Sequence, residues 1–371
     1  MRQLRLSIVG FGTVGRWLAA AIHARRAWLE AECDVAISLV GVATRREGFV
    51  YRNAGFDIPA VLEFATAGRP LRDYPRARWW ATARAGLTET ACDVLAEASN
   101  TNPREPEPAL SHIREALDRG SSVITSSKGA CAAGALDLLA LARRRRVHLR
   151  MESTVMSGTP VLSTLTEGLA GARLVALRGI LNATANHILT LMAAGRSYAA
   201  ALADAQAQGY AEPDPSDDVD AHDVVAKTRI LAALGFGCAL SLDQVVRRGI
   251  AELTPETIEE AARDGKRVKL VASVRQWPSG VDPGPASPVD ARVEPMALPL
   301  SDPLARVDGV LNALTLETDP VSHVTIVGPG AGRELAGQGL FADLVATIRA
   351  DSAGLDAASR GKQPGDGGED Q

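Results

Sequence analysis

Leu6-Ser7-Ile8-Val9-Gly10-Phe11-Gly12-Thr13-Val14-Gly15 is the stretch that decides the fold of this chain. The apolar positions Leu6, Ile8 and Val9 read as a short buried strand that stops at Gly10. From about Val14 to Ala24 the pattern turns helical. A GxGxxG loop between a strand and a helix has a specific use. One glycine permits the tight turn, one lets backbone approach a pyrophosphate, and one allows close helix–strand packing. The helix N-terminus then offers free N–H groups and its positive dipole end to the phosphates. The motif is weak alone and much stronger when it opens an alternation of strands and helices.

That alternation follows. Val35, Ile37 and Leu39 mark a second strand, Asp93 to Ala98 a third and Ser122 to Thr125 a fourth. Leu110, Ile113 and Leu117 fall on one face of a helix between the last two. Ala135 to Arg146 reads as another helix and Val147 to Met151 as a strand. The pattern predicts an α/β fold with a Rossmann-type doubly wound parallel sheet over residues 1–150, connected by right-handed crossovers. The end of the second strand reads Val42-Ala43-Thr44-Arg45-Arg46, with no acid before Glu47. An acid there holds the ribose 2′-OH of NAD, and an arginine accommodates the 2′-phosphate of NADP. Arg45 and Arg46 therefore favour NADP over NAD, unless they are simply solvated loop residues.

After Glu152 the character changes to a second, α+β unit over 151–319. Leu174 to Leu177 is strand-like, and a helical pattern runs from about Asn186 to Ala194. An acidic, proline-rich loop from Glu212 to Asp218 leads into a long helix that ends near Leu234. Trp277 to Val289 is rich in proline, glycine and serine and reads as a loop. His323 to Val327 is a late strand followed by glycines. Residues 320–350 are expected to return to the first domain and complete it. Residues 351–371, rich in Gly, Asp and Ser, are expected to form a disordered tail.

Composition narrows the function. With 46% hydrophobic and 23% charged residues this is an ordinary globular chain. A net charge of -4 gives no footing for nucleic acid. The run Arg143 to Arg146 is better read as a solvated helix C-terminus, where cations suit the dipole. No apolar run reaches membrane-spanning length, and Met1 to Arg5 passes straight into the first strand without a signal peptide. Cys33, Cys92, Cys131 and Cys238 form no metal-binding spacing, which fits reduced thiols in the cytoplasm.

Two segments carry chemistry. Ser126-Ser127-Lys128-Gly129 lies just past the fourth strand, where doubly wound sheets bind ligands. Gly209-Tyr210-Ala211-Glu212-Pro213-Asp214-Pro215 precedes Asp217, Asp218, Asp220, Asp223 and Lys227. Asp223 and Lys227 are four apart on the following helix, acid first, so they share a face. An exposed helix ion pair would look the same, but Val224, Val225, Ile230 and Leu231 predict a buried helix. The acidic cluster lacks the glycine spacing of a calcium loop.

The ordered motifs GFGTVG (10–15), TSSKGA (125–130), ESTVMSGTPV (152–161), GILNATANHI (179–188), GYAEPDPSDDVDAHDVVAK (209–227) and GPGAG (328–332) resemble those of the homoserine dehydrogenases. The resemblance runs from residue 4 to about 348. It implies reversible, NAD(P)H-dependent reduction of L-aspartate 4-semialdehyde to L-homoserine, in the biosynthesis of threonine, methionine and isoleucine, by a homodimer. It implies that Lys227 and Lys128 handle the proton and that Asp223 orients Lys227. Glu212 would hold the substrate ammonium, with Ala183, Thr184 and Asp218 lining the pocket. The cofactor would rest on Gly10, Gly12, Thr13, Val14, Gly15, Ser99, Asn100, Lys128, Gly330 and Gly332, together with Arg45 and Arg46. The carbonyls of Val155, Ser157 and Thr159 and the Glu152 side of that turn would hold Na⁺. Ser127-Lys128 replaces the family's usual Asn-Lys, and Ala183-Thr184-Ala185-Asn186-His187 replaces Gly-Thr-x-Asn-Tyr. Neither an ACT-type extension nor an aspartate kinase region is apparent. The rivals are a Rossmann dehydrogenase of another amino acid and a non-catalytic nucleotide sensor. The first is disfavoured by Glu212, Asp223 and Lys227, the second by the retained lysines.

Overall fold

The computed structural model describes residues 1–99, 102–277 and 289–360, with side chains to 352 in the last stretch. Its first sheet contains β1 (Arg2–Val9), β2 (Val35–Thr44), β3 (Gly48–Tyr51), β4 (Arg78–Trp80), β5 (Val94–Glu97), β6 (Ser122–Thr125) and β7 (Leu149–Arg150). Their order is β4-β3-β2-β1-β5-β6-β7. Strands β2, β1, β5, β6 and β7 are parallel, and β3 and β4 extend one edge antiparallel. The chain leaves β1 toward β2 and comes back on the other side at β5. This reversal opens a crevice outside the carboxyl ends of β1 and β5, where such sheets bind ligands. Helices cover both faces, so the inner half of the central strand is mostly apolar and buried on both sides: Leu6, Ile8 and Val9 of β1, with Leu4 before them, are all buried.

One helix begins earlier than its periodicity suggests. It spans Lys128–Arg145 rather than starting at Ala135. Its first turns carry Gly129, Ala130, Cys131 and Gly134, small residues that give no apolar stripe. Smallness is required there, because a Cβ on Gly129 would lie 2.6 Å from the carbonyl oxygens of Asn102 and Glu105. The arginine run occupies the last turn of this helix, and Arg145 pairs with Asp118 at 3.2 Å.

The second sheet contains β8 (Arg173–Ile180), β9 (Val246–Arg247), β10 (Lys266–Gln276), β11 (Val289–Pro299), β12 (Leu311–Asp319) and β13 (Ser322–Pro329). Its order is β13-β12-β8-β10-β11-β9, antiparallel except for β9 with β11. The helices Ala183–Ala193 and His222–Phe236 pack on β10. The second of these also packs on Lys128–Arg145 and so joins the two halves of the molecule.

The return to the first sheet is made differently from expectation. Strand β13 belongs to the second sheet, because only Pro320 and Val321 separate it from β12 and so short a hairpin cannot change sheets. The helix Arg333–Arg360 makes the return instead. Its Leu340, Phe341, Leu344, Val345 and Ile348 join the core built by β1 and the helix Thr13–Ala24. The expected disorder from 351 is also corrected: this helix continues to Arg360, tied at Asp351 to Arg2 and His148 at 3.2 Å each. Residues 361–371 and most of the expected loop, 278–288, lie outside the described residues. No helix among the described residues is long and apolar enough to cross a membrane.

Candidate active site

The glycine loop sits at the mouth of the crevice. Gly10 has φ +92°, and a Cβ there would lie 2.2 Å from the Ala98 carbonyl carbon, so only glycine lets the ends of β1 and β5 meet backbone to backbone. A Cβ on Gly15 would stand 2.4 Å from the Gly10 carbonyl oxygen and 3.0 Å from Ile8 Cγ2, which marks close helix–strand packing. Beside Gly12 there is nothing within 4 Å. The helix Thr13–Ala24 starts there with no side chain capping it, and Thr13 is exposed and Val14 half-buried on its first turn. Open space over free helix N–H groups is the cradle a diphosphate requires.

Ser99 lies at the end of β5, its N–H donating to Glu97 Oε1 at 2.9 Å and its hydroxyl to the same oxygen. Glu97 is fully buried, and its other oxygen meets His112 Nδ1 at 2.8 Å. Asn100 lies outside the described residues. Arg45 and Arg46 are exposed in the turn between β2 and β3. The nearby Glu47 carboxylate is taken by the Leu71 N–H at 2.6 Å. Gly330 is buried and Gly332 exposed, ahead of the helix Arg333–Arg360. That helix runs alongside Thr13–Ala24. A Cβ on Gly337 would touch the Trp17 ring at 2.3 Å, and further along Arg25 lies over Phe341 at 4.9 Å. Trp17 and Gly337 are each one turn into their helices, so the two N-termini open side by side.

The charged cluster forms where the helices Lys128–Arg145 and His222–Phe236 meet. Asp223 stands between two lysines, with Oδ1 accepting from Lys128 Nζ at 2.5 Å and Oδ2 lying 2.8 Å from Lys227 Nζ. Asn182 Nδ2 donates to Asp223 Oδ2 at 3.1 Å and to Asp218 Oδ1 at 2.6 Å. Lys227 also donates to the Leu181 carbonyl at 2.5 Å. The Lys227 side chain is 6% exposed and that of Lys128 36%, so Lys128 is the more accessible of the two. Burial pushes the Asp223 carboxyl up, but the two ammonium groups outweigh it and hold it far below the usual carboxylate range. Burial drives Lys227 below the ordinary lysine value despite the pull of Asp223. The Asp223 charge keeps Lys128 above that value. Asp218 is raised, mainly by burial. Thr184 donates to the Tyr210 carbonyl at 2.8 Å, Ala183 opens its helix beside Asn182, and Glu212 is exposed at the rim.

The family model for homoserine dehydrogenase matches residues 160–345. The NAD(+)-dependent homoserine dehydrogenase of Pseudomonas canavaninivorans is 36% identical over 345 residues, covering 93% of this chain and 96% of that protein. The chain belongs to the homoserine dehydrogenase family. The solved homoserine dehydrogenase of Thiobacillus denitrificans superposes with a TM-score of 0.79 at 28% identity, over 95% of this chain and 75% of that one. A hyperthermophilic archaeal homoserine dehydrogenase in complex with NADPH superposes with a TM-score of 0.77 at 28% identity, over 94% and 98%.

Against the homoserine dehydrogenase pattern, the departure at His187 is absorbed locally. His187 Nε2 meets Asp204 at 3.0 Å, and its ring packs edge-on to Tyr210 at 5.1 Å. The expected cation turn, Glu152 to Thr159, is held by its own hydrogen bonds. The Glu152 carboxylate accepts from the N–H groups of Val161, Leu162 and Ser163 at 2.7–2.8 Å. The Ser157 and Thr159 hydroxyls donate to the carbonyls of Gly330 and Pro329 at 3.1 and 3.0 Å. The turn, Val155 included, offers a cation main-chain oxygens only, and that of Thr159 already accepts from Val161 N–H. Sequence reasoning missed Asn182, which ties both carboxylates together and caps its helix through Ala185 N–H at 2.8 Å. An asparagine directly before a helical pattern is a capping signal. It also missed Lys269, fully buried on β10 and held by Val307, Asp308 and Asn186.

Proposed function

We propose that this chain interconverts L-homoserine and L-aspartate 4-semialdehyde with a nicotinamide cofactor. The observation that carries this reading is one carboxylate, Asp223, bridging a buried and an accessible lysine beside a dinucleotide crevice. When bound, the nicotinamide supplies or accepts the hydride at the substrate carbon. In the direction of reduction a lysine ammonium donates a proton to the aldehyde oxygen, which becomes the hydroxyl. In the direction of oxidation a neutral lysine takes the hydroxyl proton. The lowered Lys227 makes the neutral form accessible nearer neutrality, which suits general acid–base work. Asp223 stays ionised throughout and orients both lysines. Glu212 and Asp218 supply negative charge for the substrate ammonium, with Thr184 and Ala183 on the pocket wall. No step is assigned to a bound cation. Purified protein should produce reduced nicotinamide from homoserine, read by its absorbance, and consume it with aspartate 4-semialdehyde. Folded protein inactive in both directions with both cofactors would refute the reading.

We infer that NADP is the preferred cofactor. Glu47, the acid that could face a ribose 2′-OH, is committed to Leu71, and two arginines stand exposed at the same turn. The Pseudomonas relative, described as NAD(+)-dependent, argues the other way, so the measurement is direct. Arg45→Ala should lower kcat/KM with NADP about tenfold and leave NAD nearly unchanged, as loss of one charge-assisted contact predicts. An NAD preference that the substitution does not alter would overturn the assignment.

A further inference from the structure

We propose that Asn312 is a positioning residue for nucleotide binding: its buried amide hydrogen-bonds the main chain of the Gly330–Gly332 loop when the nicotinamide nucleotide is in place. The proposal rests on the reading of that loop as one wall of the cofactor crevice.

Asn312 lies on β12 and is completely buried. Among the described residues neither its Nδ2 nor its Oδ1 has a hydrogen-bond partner. Proteins seldom keep such a group, because an unpaired buried amide forfeits its hydration and gains nothing in return. A leucine of similar volume would fill the space without that penalty. The amide therefore requires a partner that this arrangement brings near it.

Its surroundings identify the partner. The sheet register sets Asn312 opposite Gly328, and the chain then turns over it. A Cβ on Gly330 would fall 2.1 Å from Asn312 Cγ and Nδ2 and 2.4 Å from Oδ1. Gly330 thus lacks a side chain because the Asn312 amide fills that space, a reason separate from any contact of the glycine with a cofactor. From another element, Ser157 and Thr159 hold the carbonyls of Gly330 and Pro329. The carbonyls are gripped, whereas the N–H groups of Gly330, Ala331 and Gly332 make no hydrogen bond among the described residues. The amide rests on that backbone with its Oδ1 available to accept from those N–H groups, and its Nδ2 can donate to a second lone pair of a loop carbonyl. The loop opens the helix Arg333–Arg360, whose N-terminus lies beside that of Thr13–Ala24. Fixing the loop therefore fixes the second of the two helix ends at the crevice.

The test compares parent, Asn312→Leu and Asn312→Ser by titration with NADPH and NADH, by melting without cofactor, and by homoserine kinetics at saturating cofactor. The nucleotide Kd should rise about tenfold in both variants, the equivalent of about 1.4 kcal/mol. For Asn312→Leu the melting temperature without nucleotide should stay level or rise, since an unpaired amide has been removed. The kcat and the homoserine KM at saturating nucleotide should stay near parental. A lowered melting temperature with an unchanged Kd would mean that the amide is a structural group satisfied by buried water, and the proposal would fall. If leucine destabilises the fold through poor packing, the smaller serine variant decides, and a parental Kd there overturns the idea. A parent that binds neither nucleotide would instead remove the cofactor-crevice reading, and this proposal with it.

Discussion

Replacing Lys227 by methionine should lower kcat by about 10²–10⁴-fold, the usual effect of losing a positioned acid–base group, while the protein melts close to the parental temperature. The structure separates these two outcomes. Methionine keeps most of the stem volume and removes a buried ammonium that is already driven toward its neutral form. Asp223 would not be stranded, because Lys128 and Asn182 still donate to it at 2.5 and 3.1 Å. The Leu181 carbonyl loses one donor, which costs on the order of 1–3 kcal/mol at most. Steady-state kinetics and a melting curve on the same preparation suffice. Near-parental kcat with a clearly depressed melting temperature would show that Lys227 is a structural partner and that the proton is handled elsewhere.

Asp223→Ala should fail in the opposite manner, losing activity and stability together. It leaves Lys227 buried without its counter-charge, and breaking a buried pair from one side costs about 3–5 kcal/mol. Urea denaturation at neutral pH would read this directly. The pH dependence supplies an independent check. A carboxyl held below its unfolded value stabilises the native state above the ordinary carboxylate range, near pH 4, and that stabilisation fades as pH falls through and below it. The variant should lack this acid-side component. It should also gain stability as pH rises toward the unfolded lysine value, because the stranded Lys227 binds its proton less tightly when folded. Equal denaturation midpoints for parent and variant across the acid range would refute the bridging role of Asp223.

Much of the frame was legible because its signals are local. The strand–loop–helix at residues 6–24 and the Asp223–Lys227 pair each lie within a few turns of chain, where spacing translates into geometry. The short antiparallel strands β3 and β4 escaped notice because three or four residues carry too little pattern. The first turns of Lys128–Arg145 escaped because small residues pack without a stripe. An apolar alternation identifies β13 as a strand but not the sheet it joins; only the short hairpin decides that. Asn182 is informative only beside Asp218 and Asp223, its neighbours in space and not in sequence.

The helix Arg333–Arg360 has a consequence for how the molecule is made. Strand β7 ends at Arg150, yet part of the apolar face of the first sheet stays uncovered until Leu340 to Ile348 arrive. At ribosomal speeds of about 5–20 residues per second, the nascent chain must wait on the order of 10–40 s for that cover. Throughout that interval β1 and its helix expose surface that invites aggregation or a chaperone. A chain cut short before this helix keeps the glycine loop but never brings the second helix end beside it.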